Sequence, residues 1–446
     1  MQLSLFEGAF FAFMVGSGES YLIANAVRLQ ASPLELGLVV SLPLCLGALG
    51  PLATLAVLSK LARRKPWTVA AALAQAAVLL AISLLDVAGL LVIQVLIVAA
   101  CLSQMASMAA GTAWSSWYGD LVPQRLRGRY FARRSRVVQL ATFAGLISSG
   151  LLLQLLHPGA VIDPSHASGV GFQLIFAIAA ASRLVSACFL AASPEPDFHG
   201  LSRPPQFFRF LSTARGQNAW RLLVAGSALQ LATYVASPYF SPFMLQELRF
   251  TYSEYMVATL CVVAGKFLML PTWGRSIDRH GARPVYLLVV ILVALVPLPW
   301  LWARNLWWVI PAQFFSGVSW SGFEVSFFSV LLHSSFKRTR VYIFAAQNVL
   351  NGTSQLLGGL LGGLALTMAP GQFRWIFGVS VLLRLLVALC MPGVLPRGTD
   401  DQPGRREMAL RIVGFRPSGG IVHRPVIEGE DVLPTDRVDH LESGRQ

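Results

Sequence analysis

The chain has 446 residues, of which 55% are hydrophobic and only 13% charged, and its mean hydropathy is +0.61. Soluble domains carry about 25% charged residues, so a water-facing surface cannot be assembled here and lipid has to cover the chain. The formal net charge of +14 sits mostly in short gaps between apolar runs, which excludes a nucleic-acid surface.

Twelve apolar segments follow in order, each long enough to cross a bilayer as a helix of about 20 residues. Spans 1 to 6 are expected at 6–27, 36–58, 67–86, 88–117, 137–157 and 171–193. Spans 7 to 12 are expected at 219–245, 254–274, 285–303, 306–333, 342–368 and 373–394. The first run lacks a basic n-region and a cleavage site, so it is read as a retained span. The five cysteines (Cys45, Cys101, Cys188, Cys261, Cys390) are scattered through these spans. They form neither a disulfide framework nor a metal spacing and are expected as buried free thiols, with no cofactor and no metal.

Gaps after the even-numbered spans up to span 10 hold 20 basic residues, whereas the alternate gaps hold only Arg28, Arg249, Arg304 and Arg374. Positive charge marks the cytoplasmic side, so both termini are expected in the cytoplasm, as an even number of spans requires. The expected organisation is a six-helix bundle over 1–193, a cytoplasmic linker over 194–218 and a second six-helix bundle over 219–394. The tail over 395–446, with 8 basic and 9 acidic residues, is expected to be disordered.

The halves repeat one another. Phe172-Gln-Leu-Ile-Phe176 with Arg183-Leu in span 6 matches Phe373-Arg-Trp-Ile-Phe377 with Arg384-Leu in span 12, at a constant offset of 201. Arg127-Gly-Arg129-Tyr-Phe after span 4 matches Arg338-Thr-Arg340-Val-Tyr after span 10. Two parallel six-helix halves, each built from inverted three-helix units, constitute a known transporter architecture.

The gap after span 8 reads Trp273-Gly274-Arg-Ser-Ile-Asp278-Arg279-His-Gly281-Ala-Arg283-Pro284. It resembles the signature loop of the major facilitator superfamily, G-x-x-x-D-R-x-G-x-R. Gly274 suits close helix approach, Gly281 a tight turn, and Asp278 a neighbouring helix N-terminus. The resemblance implies that this loop latches the cytoplasmic side in the outward-open state. In the first-half counterpart Lys60 stands where the aspartate should be, and Ala56 and Arg63 replace the glycines. Trp114-Ser-Ser-Trp117-Tyr-Gly-Asp120 with Arg127-Gly-Arg129 is similar to the end of span 4 in a bacterial subgroup of the superfamily. Asp120, Arg127 and Arg129 are therefore candidates for a second gate element. The implied fold is an all-α bundle of twelve transmembrane helices in two pseudo-symmetric halves, set as a monomer in a bacterial inner membrane.

Ionisable residues inside a bilayer face protein or water, not lipid. Those in the spans are Glu7 and Glu19, Arg183, Lys266, Glu324 and Arg384. The resemblance places spans 1, 4, 7 and 10 on a central cavity. Glu19 lies 13 residues into span 1, about 20 Å along a helix, where it could exchange a proton or touch substrate, or form a structural ion pair. Lys266 and Glu324 carry the same two readings. Glu7 is expected at the cytoplasmic interface, and Arg183 and Arg384 share an expected structural role. Secondary transport of a small solute, with proton coupling a candidate, is the leading expectation. A flippase for lipids or lipophilic compounds, or a non-transporting receptor, are the alternatives. Neither a Walker loop, a nucleophile elbow nor a zinc motif is present, so no enzymatic activity is expected.

Overall fold

The computed structural model describes residues 2–58, 60–61, 63–122, 127–156, 169–196, 218–334 and 340–395. The linker beyond residue 196 and the tail beyond residue 395 lie outside the described residues. All regular structure described is helical, and ten helices among the described residues are long and apolar enough to cross a membrane. Outward-facing Leu84, Leu155, Leu386, Leu389 and Trp307 are each more than half exposed, an apolar exterior that only lipid can cover. Cys188 and Cys390 join this exterior rather than the core, while Cys101 is buried.

Span 1 is broken. One helix covers Gln2–Ser17, a 3-10 turn covers Glu19–Tyr21, and a second helix covers Leu22–Arg28. Span 2 is Pro33–Gly47 and Leu49–Leu58, span 3 Lys65–Val87, span 4 Ile93–Leu121, span 5 Arg127–Leu156 and span 6 Val170–Ala192. Span 7 runs through Asn218–Tyr234, a 3-10 turn at Ser237–Tyr239, and a π-turn at Phe243–Glu247. Span 8 is Tyr252–His280, span 9 Ala282–Leu295 with a 3-10 turn at Leu298–Leu301, and span 10 Leu306–His333. Spans 11 and 12 are Arg340–Met368 and Phe373–Val394. Span 5 begins ten residues before its expected start, so the loop arginines after span 4 ride on a helix.

The repeat persists at atomic detail. Spans 2 and 8 both start on a capping box, Ser32 with Glu35 and Thr251 with Glu254, which satisfies two orphan backbone groups at each start. Both breaks end on a tyrosine. Tyr21 donates to the Leu146 carbonyl of span 5 at 2.9 Å, and Tyr239 to the Gly359 carbonyl of span 11 at 2.6 Å.

Glycines set the closest crossings. In span 11, an added Cβ would stand 2.4 Å from the Leu231 carbonyl oxygen at Gly358 and 2.2 Å from that of Val235 at Gly362. Both contacts lie against span 7, in the same half. At the adjacent Gly359 and Gly363 the Cβ would meet Ser41 Oγ at 2.6 Å and Leu34 Cα at 3.0 Å, on span 2 of the other half. Each glycine pair thus packs one residue on each half, where bare backbones can approach closely.

Candidate functional site

In the first half, the charged residues are tied into one another. The Glu7 carboxylate pairs with Arg134 of span 5 at 2.9 Å, and the guanidinium lies 4.0 Å over the Trp114 ring. Glu7 is thus a buried partner of an arginine expected in the loop; the helical extension of span 5 carries Arg134 to it. Glu19 accepts a 2.9 Å hydrogen bond from Gln75 Nε2, while Gln75 Oε1 accepts one of 2.7 Å from Arg183 Nε. Arg183 Nη1 adds Ser186 Oγ at 3.0 Å. One carboxamide therefore bridges the acid of span 1 to the arginine of span 6, donating to the first and accepting from the second. Gln75 is the lone carboxamide in apolar span 3, a signal that could have singled it out.

Arg384, the repeat mate of Arg183, is only 1% exposed and uses neutral acceptors throughout. Nε donates to Ser380 Oγ at 3.0 Å, Nη1 to the Val293 carbonyl at 3.0 Å and Nη2 to the Thr233 carbonyl at 3.1 Å. Pro297 has no N–H to offer the Val293 carbonyl four residues earlier, and Thr233 sits where the first helix of span 7 ends. Helix breaks expose these carbonyls, and the guanidinium covers them. The shared structural role holds for burial but not for the partners.

The second half instead exposes its charges to a cavity of about 530 Å³ between spans 7, 8, 10 and 11. Lys266 Nζ and Glu324 Oε1 pair across spans 8 and 10 at 2.5 Å, with side chains 34% and 54% exposed. Tyr234, Trp320, Phe323, Phe327 and Phe328 supply rings to the walls. Gln230, Gln347, Asn348, Asn351 and Gln355 supply carboxamides, the last four at helical spacing along one face of span 11. That spacing, readable as a polar stripe, was the overlooked sequence signal. Gln355 donates to Gln230 at 3.3 Å, and Asn351 accepts from Ser227 at 3.3 Å. Glu19 lies outside this cavity's lining, so the three candidates do not converge on one spot.

The loop after span 8 turns at Gly281, whose φ of +79° is a conformation that strongly favours glycine. Gly274, however, has no described neighbour within 4 Å of an added Cβ, so no close helix approach is seen there among the described residues. Asp278 and Arg279 are exposed and Arg283 is half-buried. The side chains of Asp120, Arg127 and Arg129 lie outside the described residues. In the first half, the corresponding segment is clamped. Glu195, just past span 6, accepts from the backbone N–H groups of Arg64 and Lys65. The buried Arg64 side chain reaches the Ser116 carbonyl of span 4 at 2.8 Å. Neither Glu195 nor this use of Arg64 was evident from the loop's degraded motif.

Away from the cavity's wide side, the halves meet tightly. Tyr21 and Tyr255 stand edge to face at 6.0 Å, and Phe172 and Tyr252 at 5.8 Å.

The family model described as Major Facilitator Superfamily matches residues 222–433. No curated protein matches the sequence. Among solved structures, a point mutant of the nucleoside transporter NupG is similar at TM-score 0.72 and 12% identity, covering 88% of this chain and 99% of that one. An auto-inhibited POT family peptide transporter matches at 0.68 and 11%, covering 94% and 98%. The xylose transporter XylE from E. coli, in an inward-open conformation, matches at 0.65 and 12%, covering 92% and 98%. The second half of the chain thus matches the major facilitator superfamily model, and the chain as a whole shares the helical fold of these membrane transporters.

Proposed function

We propose that this chain is a transporter of the major facilitator class that moves a small solute by alternating access, the two six-helix halves rocking against each other. The observation that carries the proposal is the cavity of about 530 Å³ in the second half, walled by mixed aromatic and carboxamide groups and holding the Lys266–Glu324 pair. Elsewhere span 11 packs on span 2 at Gly359 and Gly363, and Tyr21 and Phe172 meet Tyr255 and Tyr252 of span 8. With both termini cytoplasmic, as the basic gaps argue, this conformer faces inward in a bacterial inner membrane.

Lys266 and Glu324 are then the substrate-facing charges. The Asp278 loop is the latch that engages when the cytoplasmic side closes, and its exposed aspartate fits the open state. Glu19 is the proton-exchange candidate, because its only described side-chain partner is the neutral Gln75 and its cation lies one residue further on. In vesicles, purified protein should show gradient-driven flux or exchange of a solute. An imposed pH gradient should drive that flux in the parent and fail to drive it in Glu19→Gln. Proton-driven flux unchanged by the substitution would remove Glu19 from the coupling step, and no flux of any solute would sink the transport proposal.

A further inference from the structure

The cavity between spans 7, 8, 10 and 11 is chemically more restrictive than its size suggests. Its only charged lining residues among those described are Lys266 and Glu324, which neutralise each other at 2.5 Å. A charged solute would enter without an uncompensated counter-charge and would lose hydration with little return. One side is a ring surface: Phe323 and Phe327 stack at 5.4 Å with planes 9° apart, and Trp320 meets Phe323 edge to face at 5.4 Å. Across from it, span 11 presents Gln347 and Asn348, whose amides have no partner among the described residues. Each amide offers both a donor and an acceptor.

Thr233 supplies an independent pointer. It lines the cavity and is 1% exposed, yet its Oγ1 has no hydrogen-bond partner among the described residues. A buried hydroxyl left unpaired is unfavourable, and a solute hydroxyl or ring heteroatom in the cavity would satisfy it. A lipid tail or a lipophilic cation would leave this group and the free amides dry and unpaired.

We infer that the solute is a small molecule without net charge that combines a planar ring with several hydrogen-bonding groups, an inference that rests on the transport reading above. The ring lies against the Trp320–Phe327 wall, and its polar edge meets Thr233 and the amides of span 11.

The test uses the purified full chain and four probes. These are uridine, uridine 5′-monophosphate, xylose and tetraphenylphosphonium, titrated by tryptophan fluorescence and thermal shift. Uridine should bind at least about tenfold more tightly than its monophosphate, which adds an anionic phosphate group, and than xylose, which lacks the planar ring. Tetraphenylphosphonium should bind weakest. Thr233→Val, close in shape, should weaken uridine about fivefold, the worth of one hydrogen bond, and Asn348→Leu, at an exposed position, should do likewise with folding intact. Tighter binding of the monophosphate or the lipophilic cation, or binding of none of the four, overturns the inference. Uridine that binds with the expected variant pattern but is never carried across vesicles would leave the solute class standing and remove transport.

Discussion

The two halves share a backbone and differ in where they spend their charges. Each has a broken first span ending on a tyrosine that bonds to the half's fifth span, a capping box on its second span, and a buried arginine on its sixth. In the first half the charges are knotted together: Glu7 with Arg134, Glu19 with Gln75 and Arg183, Glu195 with the start of span 3. In the second half the buried arginine is satisfied by neutral acceptors, and the Lys266–Glu324 pair faces a cavity. The halves thus share a geometry and differ in their polar side chains, one with its charges tied inward and the other with a charged pair on a cavity.

The sharpest way to break this contrast is to remove the paired arginines. Arg183→Met leaves Glu19 and Glu7 with less compensation and should destabilise the protein by about 3 kcal/mol, the scale of a broken buried charge network. Adding Glu19→Gln should recover part of the loss. Arg384→Met leaves only neutral acceptors behind and should lose less, with no rescue by Glu19→Gln. Thermal unfolding of the purified variants checks both, and equal losses without rescue would erase the distinction.

The paired glycines of span 11 divide fold from conformation. Gly358→Ala and Gly362→Ala press on span 7 and should cost about 1–3 kcal/mol by overpacking in every state. Gly359→Ala and Gly363→Ala press on span 2, a contact between halves, and should instead disfavour the conformer described here. Labelling of a cysteine placed at Asn348 by a membrane-impermeant reagent in inside-out vesicles should then slow. An unchanged labelling rate would mean that the seam does not select the state.

Glu195→Gln weakens a carboxylate at the start of span 3, where helix dipoles and charge-assisted bonds contribute about 1 kcal/mol. The expected readout is a modest drop in unfolding temperature. Smallest of all is the stability effect of Lys266→Gln or Glu324→Gln. Half-exposed pairs are worth under about 1 kcal/mol, so both variants should fold normally while altering solute binding. A large stability loss would turn the pair into a brace like those of the first half.

The parts of this molecule written in consecutive residues were legible from sequence. Hydropathy located the helices, ten of which among those described are long and apolar enough to cross a membrane, the 201-residue offset exposed the repeat, and Gly281 announced its turn. Contacts between distant segments were not legible. Lys266 and Glu324 were each identifiable as intramembrane charges, but 58 residues separate them, and no local pattern says that they meet. The partner of Glu7 was hidden because Arg134 looked like loop until span 5 extended to carry it. Gly274 matched a motif whose usual packing neighbour is absent here. The cavity itself was hidden because uncharged amides do not stand out as costly in a bilayer, although their spacing on span 11 was visible.

Span 11 carries both its polar stripe and its glycine seam, and they occupy different turns of the same helix. The seam closes through bare backbone, so it imposes no chemical demand on what the stripe may bind. Carboxamides at Gln347 through Gln355 can therefore be exchanged during evolution without loosening the seal at Gly359 and Gly363. On the proposed transport reading, selectivity on this helix can drift while the packing of the halves stays unchanged.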